Sequence, residues 1–311
     1  LLLPVAHSGL IPGVHWPKVT LIGVGLLGGS LGLALRQRRL AGEVVGFVRR
    51  RASRSECQRS GAVSRATLDL AEAVREADLV VLCTPLGQMA PLTRAMLPSL
   101  KHGAIVTDVG SVKGSVVREL EPMLARAGAQ LVASHPMAGS EKTGVAAARA
   151  DLFEGAVCVV TPTPRTQPAA LRRVEQLWRA VGSRVLRMEA TAHDAAVARS
   201  SHLPHAVATA VAHWVLAPGQ ADEVAQLCAG GFRDTTRIAS SSTEMWRDIG
   251  LANRRQLARE LAGLAGSLLK LRKLVAAGDA DALLEFYATA RTRREAWLAR
   301  SLRQAAREGA R

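Results

Sequence analysis

The run Ser134-His135-Pro136-Met137-Ala138-Gly139-Ser140-Glu141-Lys142-Thr143-Gly144 gathers groups that handle protons and anions. It follows an apolar stretch, residues 130–133, that reads as a strand, so His135 is expected on the loop at a strand end. A neutral imidazole there can accept a proton from a hydroxyl. Three other segments carry partners for such chemistry. Asp108-Val109-Gly110-Ser111-Val112-Lys113 follows a strand, and Ser111 can bond a hydroxyl or the histidine. Ser200-Ser201-His202-Leu203-Pro204-His205 lies on a helix. Gly230-Gly231-Phe232-Arg233-Asp234-Thr235-Thr236-Arg237 is followed closely by Glu244-Met245-Trp246.

A second constellation complements the first. Gly23, Gly25 and Gly28 form G-x-G-x-x-G, after a strand and at the opening of a helix that includes Leu26 and Leu27. In that setting the first glycine permits a tight turn, the second lets a pyrophosphate approach the backbone, and the third lets helix and strand pack. Thr84, just past the strand 79–83, is assigned to the same dinucleotide site. The second strand ends in Arg49-Arg50-Arg51, without the carboxylate that would accept from ribose hydroxyls. Arginines there suit a 2′-phosphate, which favours NADP over NAD. An imidazole beside a bound pyridinium ring can take the proton of an alcohol while hydride departs to the ring.

These groups need an alternating framework. Apolar strands are expected at 19–23, 44–48, 79–83, 104–108, 130–133, 157–161 and 184–188. Helices are expected at 27–37, 52–59, 70–76, 89–97, 114–126 and 168–181, giving an α/β domain with a mainly parallel sheet. From residue 192 onward the periodicity is helical throughout: 193–216, 222–228, 242–249, 253–276 with Asn253 as N-cap, and 280–307. The expected division is an irregular arm over 1–17, a dinucleotide domain over 18–189 and an all-α domain over 190–311.

Composition excludes other classes. The 311 residues are 48% hydrophobic, and no run approaches the ~18 apolar residues of a membrane span. Residues 1–7 lack a basic n-region and are broken by Pro4, a poor signal peptide. The net charge is +15, with only six lysines among the 41 basic residues. One Tyr and four Phe leave few platforms for base stacking, so a nucleic-acid partner is not expected. Cys57, Cys83, Cys158 and Cys228 are far apart, which argues against a metal site and fits a reducing cytoplasm.

The glycine motif, the His135 run, Ser201-His202-Leu203-Pro204-His205, and Gly231 to Ala239 with Trp246 together resemble the prephenate/arogenate dehydrogenase family of tyrosine biosynthesis, from about residue 18 to about 300. The resemblance implies a Rossmann-type domain followed by an all-α domain that forms a homodimer. It implies oxidative decarboxylation of prephenate to 4-hydroxyphenylpyruvate, or of L-arogenate to tyrosine, with NADP or NAD. It also implies roles: His135 as proton acceptor and Ser111 as its positioning partner. Arg237 would hold a substrate carboxylate, and His205, Ser140 and Trp246 would line the substrate pocket. Glu244 is a candidate for reading an ammonium group, Glu141 and Lys142 for a local pair or a gate, and His193 is read as structural. No regulatory domain is expected. Two other readings are weighed, the first with the same two-domain plan. A β-hydroxyacid dehydrogenase or imine reductase would need a lysine on the helical part, and none occurs between Thr191 and Asn253. A non-catalytic NADP-sensing regulator leaves the His135 run unexplained.

Overall fold

The computed structural model describes residues 14–140, 142–218 and 221–309. Glu141 and residues 1–13 of the expected arm lie outside the described residues. The arm is shorter than expected at its far end: Trp16 is buried and opens the first strand, with the Arg173 guanidinium 3.6 Å over its ring.

The first elements in chain order are β1 (Trp16–Ile22), α1 (Leu26–Gln37), β2 (Ala41–Phe47), α2 (Arg51–Arg59), β3 (Arg65–Thr67), α3 (Leu70–Val74), β4 (Leu79–Leu82), α4 (Leu86–Met96), β5 (Ile105–Asp108), α5 (Lys113–Arg126) and β6 (Gln130–Leu131). The six strands make one parallel sheet in the order β3-β2-β1-β4-β5-β6. Strands β4 and β5 are buried on both faces, as a sheet covered by crossover helices requires. The strand order reverses direction between β1 and β4, which opens a crevice at their carboxyl ends. Gly28 lets α1 lie against β1, since a Cβ there would stand 2.1 Å from the Gly23 carbonyl oxygen.

The strand expected at 130–133 is in fact two. β6 ends at Leu131, Val132 passes the chain across, and β7 (Ala133–Pro136) joins a second sheet with β8 (Val157–Thr161) and β9 (Arg184–Arg187). β7 runs antiparallel to β8, and β8 parallel to β9. His135 therefore lies within a strand, not on the loop beyond it, with His135 opposite Val159. Between β8 and β9, α6 (Pro168–Ala180) buries Trp178 against Phe153, edge to face at 5.5 Å between ring centres.

The helical part begins with α7 (Ala190–Val197) and α8 (Leu203–Val215). The single helix expected over 193–216 is interrupted by a π turn at Ala198–His202. Pro204 has no N–H for the carbonyl of Ser200, and the wider turn absorbs that lost bond. Then come α9 (Ala221–Gln226), α10 (Gly230–Thr236), a 3-10 turn at Arg237–Ser240, α11 (Thr243–Ala252), α12 (Arg254–Ala277) and α13 (Ala280–Gly309). Asn253 is the C-cap of α11 rather than an N-cap, and its side chain turns inward. By packing, the chain divides into a unit ending at Arg254 and a second unit from Arg255 onward. The change expected at 189/190 is thus one of architecture, since the helices between 190 and 254 fall in one unit with the sheets. No helix among the described residues is long and apolar enough to cross a membrane.

Candidate active site

Ser134 anchors β7 to β5. Its N–H donates to Asp108 Oδ1 at 3.1 Å, and its hydroxyl donates to the Asp108 carbonyl at 2.7 Å. The Trp178 indole N–H donates to the same hydroxyl at 3.0 Å. The Lys113 ammonium, fully buried, donates to the Ser134 carbonyl at 2.7 Å and pairs with Asp108 Oδ2. Burial pushes the Lys113 pKa down, and the Asp108 carboxylate opposes this. The neighbouring position of the strand, His135, points to the other side.

His135 Nδ1 lies 2.9 Å from His193 Nε2, with the rings edge to face at 73°. His193 Nδ1 lies 2.9 Å from Asp194 Oδ1. Asp194 also accepts the backbone N–H of Lys113 at 2.7 Å and of Gly114 at 2.8 Å, at the start of α5. Asn253 donates to the Asp194 carbonyl at 2.8 Å and lies 3.2 Å from His202 Nδ1. Burial holds the His135 pKa well below the ordinary histidine value, with Lys113, His193 and His202 adding to the same direction. Burial also lowers His202, to about 4, against the pull of Asp194.

His135 forms part of the wall of a cleft of about 550 Å³. Gly25, Leu26, Leu27, Thr84, Ser111, Ser140, Lys142, His202 and Trp246 line the same cleft. The walls are mostly apolar, as small-molecule sites are. His205 is one layer behind: its ring stacks on Trp246 at 3.4 Å, and it is not among the lining residues. Arg237, exposed at the start of its 3-10 turn, does not line this cleft, nor does Glu244, which accepts from the Ser242 and Thr243 hydroxyls in the first turn of α11. Ser111 lines the cleft as expected, but the hydrogen bond that holds His135 comes from His193. Three buried polar atoms, Thr84 Oγ1, His202 Nε2 and Trp246 Nε1, belong to lining residues and have no partner within the protein.

A second hollow of about 280 Å³ adjoins the first at Gly25, Thr84 and Gly144, and is lined by Gly23, Arg49, Arg50 and Ser53. The residues fit a dinucleotide. Gly23 takes φ +94°, open to glycine without strain. A Cβ on Gly25 would meet no protein atom within 4 Å and would instead fill the space the two hollows share. Gly25 leads into α1, whose first N–H groups receive no side-chain cap. Glu56 also lines the second hollow, so the arginines do not face it alone.

Sequence reasoning missed His193, Asp194, His202 and Asn253 as members of one polar network. The available signal was the adjacent pair His193-Asp194 on an otherwise apolar first helix, where an unpartnered acid would be costly.

Two family profiles match the chain: "Prephenate dehydrogenase, nucleotide-binding domain" over residues 31–187 and "Prephenate dehydrogenase, dimerization domain" over 189–289. The cyclohexadienyl dehydrogenase of Zymomonas mobilis is 35% identical over 271 residues, covering 86% of this chain and 92% of that protein. The crystal structure of prephenate dehydrogenase from Aquifex aeolicus, in complex with hydroxyphenyl propionate and NAD+, has a TM-score of 0.84 at 32% identity, covering 89% of this chain and 97% of that one. Synechocystis arogenate dehydrogenase has a TM-score of 0.75 at 28% identity, covering 90% and 99%.

Proposed function

The chain belongs to the prephenate dehydrogenase family, and from that premise we propose that it oxidatively decarboxylates prephenate or L-arogenate, with His135 as the proton acceptor and NADP favoured over NAD. The observation that carries this reading is the place of His135: on the cleft wall, with Nδ1 engaged by His193, beside the glycine turn.

The nicotinamide cofactor, when bound, supplies the hydride acceptor. His135 takes the proton of the C4 hydroxyl as hydride leaves C4. The C1–carboxylate bond then breaks, its electron pair enters the ring as the new carbonyl becomes a phenolate, carbon dioxide departs, and the phenolate oxygen regains the proton held on His135. Aromatisation supplies much of the driving force, so the protein's work is alignment and the holding of one proton. A positioned base contributes on the order of 10²–10⁴-fold. A depressed His135 pKa keeps the imidazole neutral and ready at physiological pH. Ser111, Ser140 and Trp246 share the cleft with His135 and are suited to hold the substrate. Lys142 adds a positive charge suited to a carboxylate. Arg237 and His205 keep their proposed substrate roles on the family resemblance alone.

The preference for NADP rests on Arg49 and Arg50 at the mouth of the second hollow. A charge-assisted bond to the 2′-phosphate stabilises by about 1.5–3 kcal/mol. Arg50→Ala should therefore raise the KM for NADP by about 10–100-fold while changing the KM for NAD little; equal effects on both would remove the arginine from cofactor choice. A homodimer is proposed from the dimerization-domain match. The test of the activity is direct: the purified protein is mixed with prephenate or L-arogenate and with NADP or NAD. Growth of the reduced-nicotinamide absorbance with at least one pair is expected. Its absence from all four mixtures would overturn the reading.

A further inference from the structure

Asp194 sets the direction of a chain of protons. Its two oxygens accept backbone N–H groups of Lys113 and Gly114, neither of which can turn around to accept. Asp194 Oδ1 is therefore an acceptor toward His193 too, and His193 Nδ1 carries the proton between them. That leaves His193 Nε2 with a lone pair, which faces His135 Nδ1 at 2.9 Å. His135 must then donate from Nδ1, so its Nε2 is bare.

We propose that the stack Asp194–His193–His135 is a positioning relay, in which the acid at the start of α5 dictates the tautomer of two successive imidazoles and leaves the bare Nε2 of His135 as the proton acceptor. This rests on His135 being the base of the proposed reaction. His193 and Asp194 touch no substrate in this arrangement; they act through His135. His193 is fully buried, and Asp194 is buried with it. A polar pair costs free energy there unless its bonds are made, and each bond here has a defined partner. The relay also answers an electrostatic problem. When His135 takes a proton it becomes a cation close to the buried Lys113 ammonium, His202 and the Cys158 thiol. Asp108 pairs with Lys113, and Asp194, reached through His193, faces the new charge. Asn253 ties the arrangement to the cleft: its amide N–H groups serve the Asp194 carbonyl and His202 Nδ1, which leaves the partnerless His202 Nε2 as a donor.

The test compares three variants across pH. His193→Leu removes the acceptor for His135 Nδ1. It is expected to lower kcat by about 10–100-fold, the size of effect found when the partner that orients a metal-bound histidine is lost, with the KM for cofactor unchanged. The acid limb of the kcat profile should move to lower pH, because the imidazolium has lost its acceptor. His193→Gln, whose Oε1 can stand near the place of Nε2, should recover much of kcat. A folded His193→Leu with kcat within twofold of the parent and an unmoved acid limb would overturn the relay. His135→Asn serves as the control: if it retains full turnover, the base assignment and the relay both fall, whereas a dead His135→Asn beside a normal His193→Leu removes the relay alone. Should His193→Leu not fold, nitrogen-15 resonances of the unaltered protein decide the matter. A protonated Nδ1 and bare Nε2 on His135 support the relay, and the reverse tautomer overturns it.

Discussion

Burial acts on the three histidines around the cleft in one direction, and the direction has measurable consequences. His135, His202 and His205 all have their pKa lowered, mainly by loss of water around the charged form. With His135 as the proposed base, acting as neutral imidazole, kcat/KM should rise with pH through a value below the 6.5 of a free histidine and be flat above it. A limb centred above 6.5 would contradict a buried His135 as the base. His135→Asn should reduce turnover by about 10²–10⁴-fold, with cofactor affinity little changed. The same shifts bear on stability. Below pH 6.5 the unfolded chain binds protons that the folded histidines refuse, so stability is full above that pH and is lost as pH falls toward the folded value, about 4 for His202. The melting temperature should be lower at pH 5 than at pH 7.5, and His202→Gln should narrow the gap. At this scale the sequence was partly legible. His135 announces itself through its neighbours along the chain, whereas its partner His193 is 58 positions away on a helix that reads as apolar packing. Non-local pairs of that sort leave no periodic mark.

Among the elements, β5, α5 and β7 form one rigid mount. The Asp108 carboxylate at the end of β5 holds the Gly110 N–H, the Ser134 N–H and the Lys113 ammonium. Asp108→Ala would leave a buried ammonium without its counter-charge, which typically costs about 3–5 kcal/mol. Urea unfolding should show a loss of that size, and a change under 1 kcal/mol would show that Lys113 finds another partner or loses its proton. The glycine turn was legible because its three residues lie within six positions, and at Gly28 the reason is local and steric, since a Cβ would strike Gly23. The split of 130–136 into β6 and β7 was not legible: β6 is only two residues and β7 buries Ser134 and His135 among its four, so hydrophobic pattern does not say which sheet each joins. The break in the long helix had a visible cue in Pro204, but a proline in the first turn of a helix is equally ordinary, and sequence does not separate the two.

For the molecule as a whole, the second unit raises the question of what its helices bury. Leu268, Leu269, Val275, Leu284, Tyr287, Trp297 and Leu302 are all more than half exposed. More apolar surface than one chain needs is the mark of an association surface, in keeping with the dimerization-domain match over 189–289. Sedimentation should find a dimer whose melting temperature rises with concentration. Leu284→Glu should shift the population toward monomer, and a monomeric parent protein would refute the assembly. The chain passes from the first sheet of this unit to the second through one residue, Val132, and the imidazole proposed as the base stands three positions further on. Side chains along a strand alternate from one side to the other. Between the seam and the imidazole, then, the length is fixed: one inserted residue would turn His135 toward Trp178 and aim Ser134 or its neighbour at the reactants instead. The chemistry of this enzyme is in that sense an act of counting, kept in phase by a stretch of chain too short to lose its place.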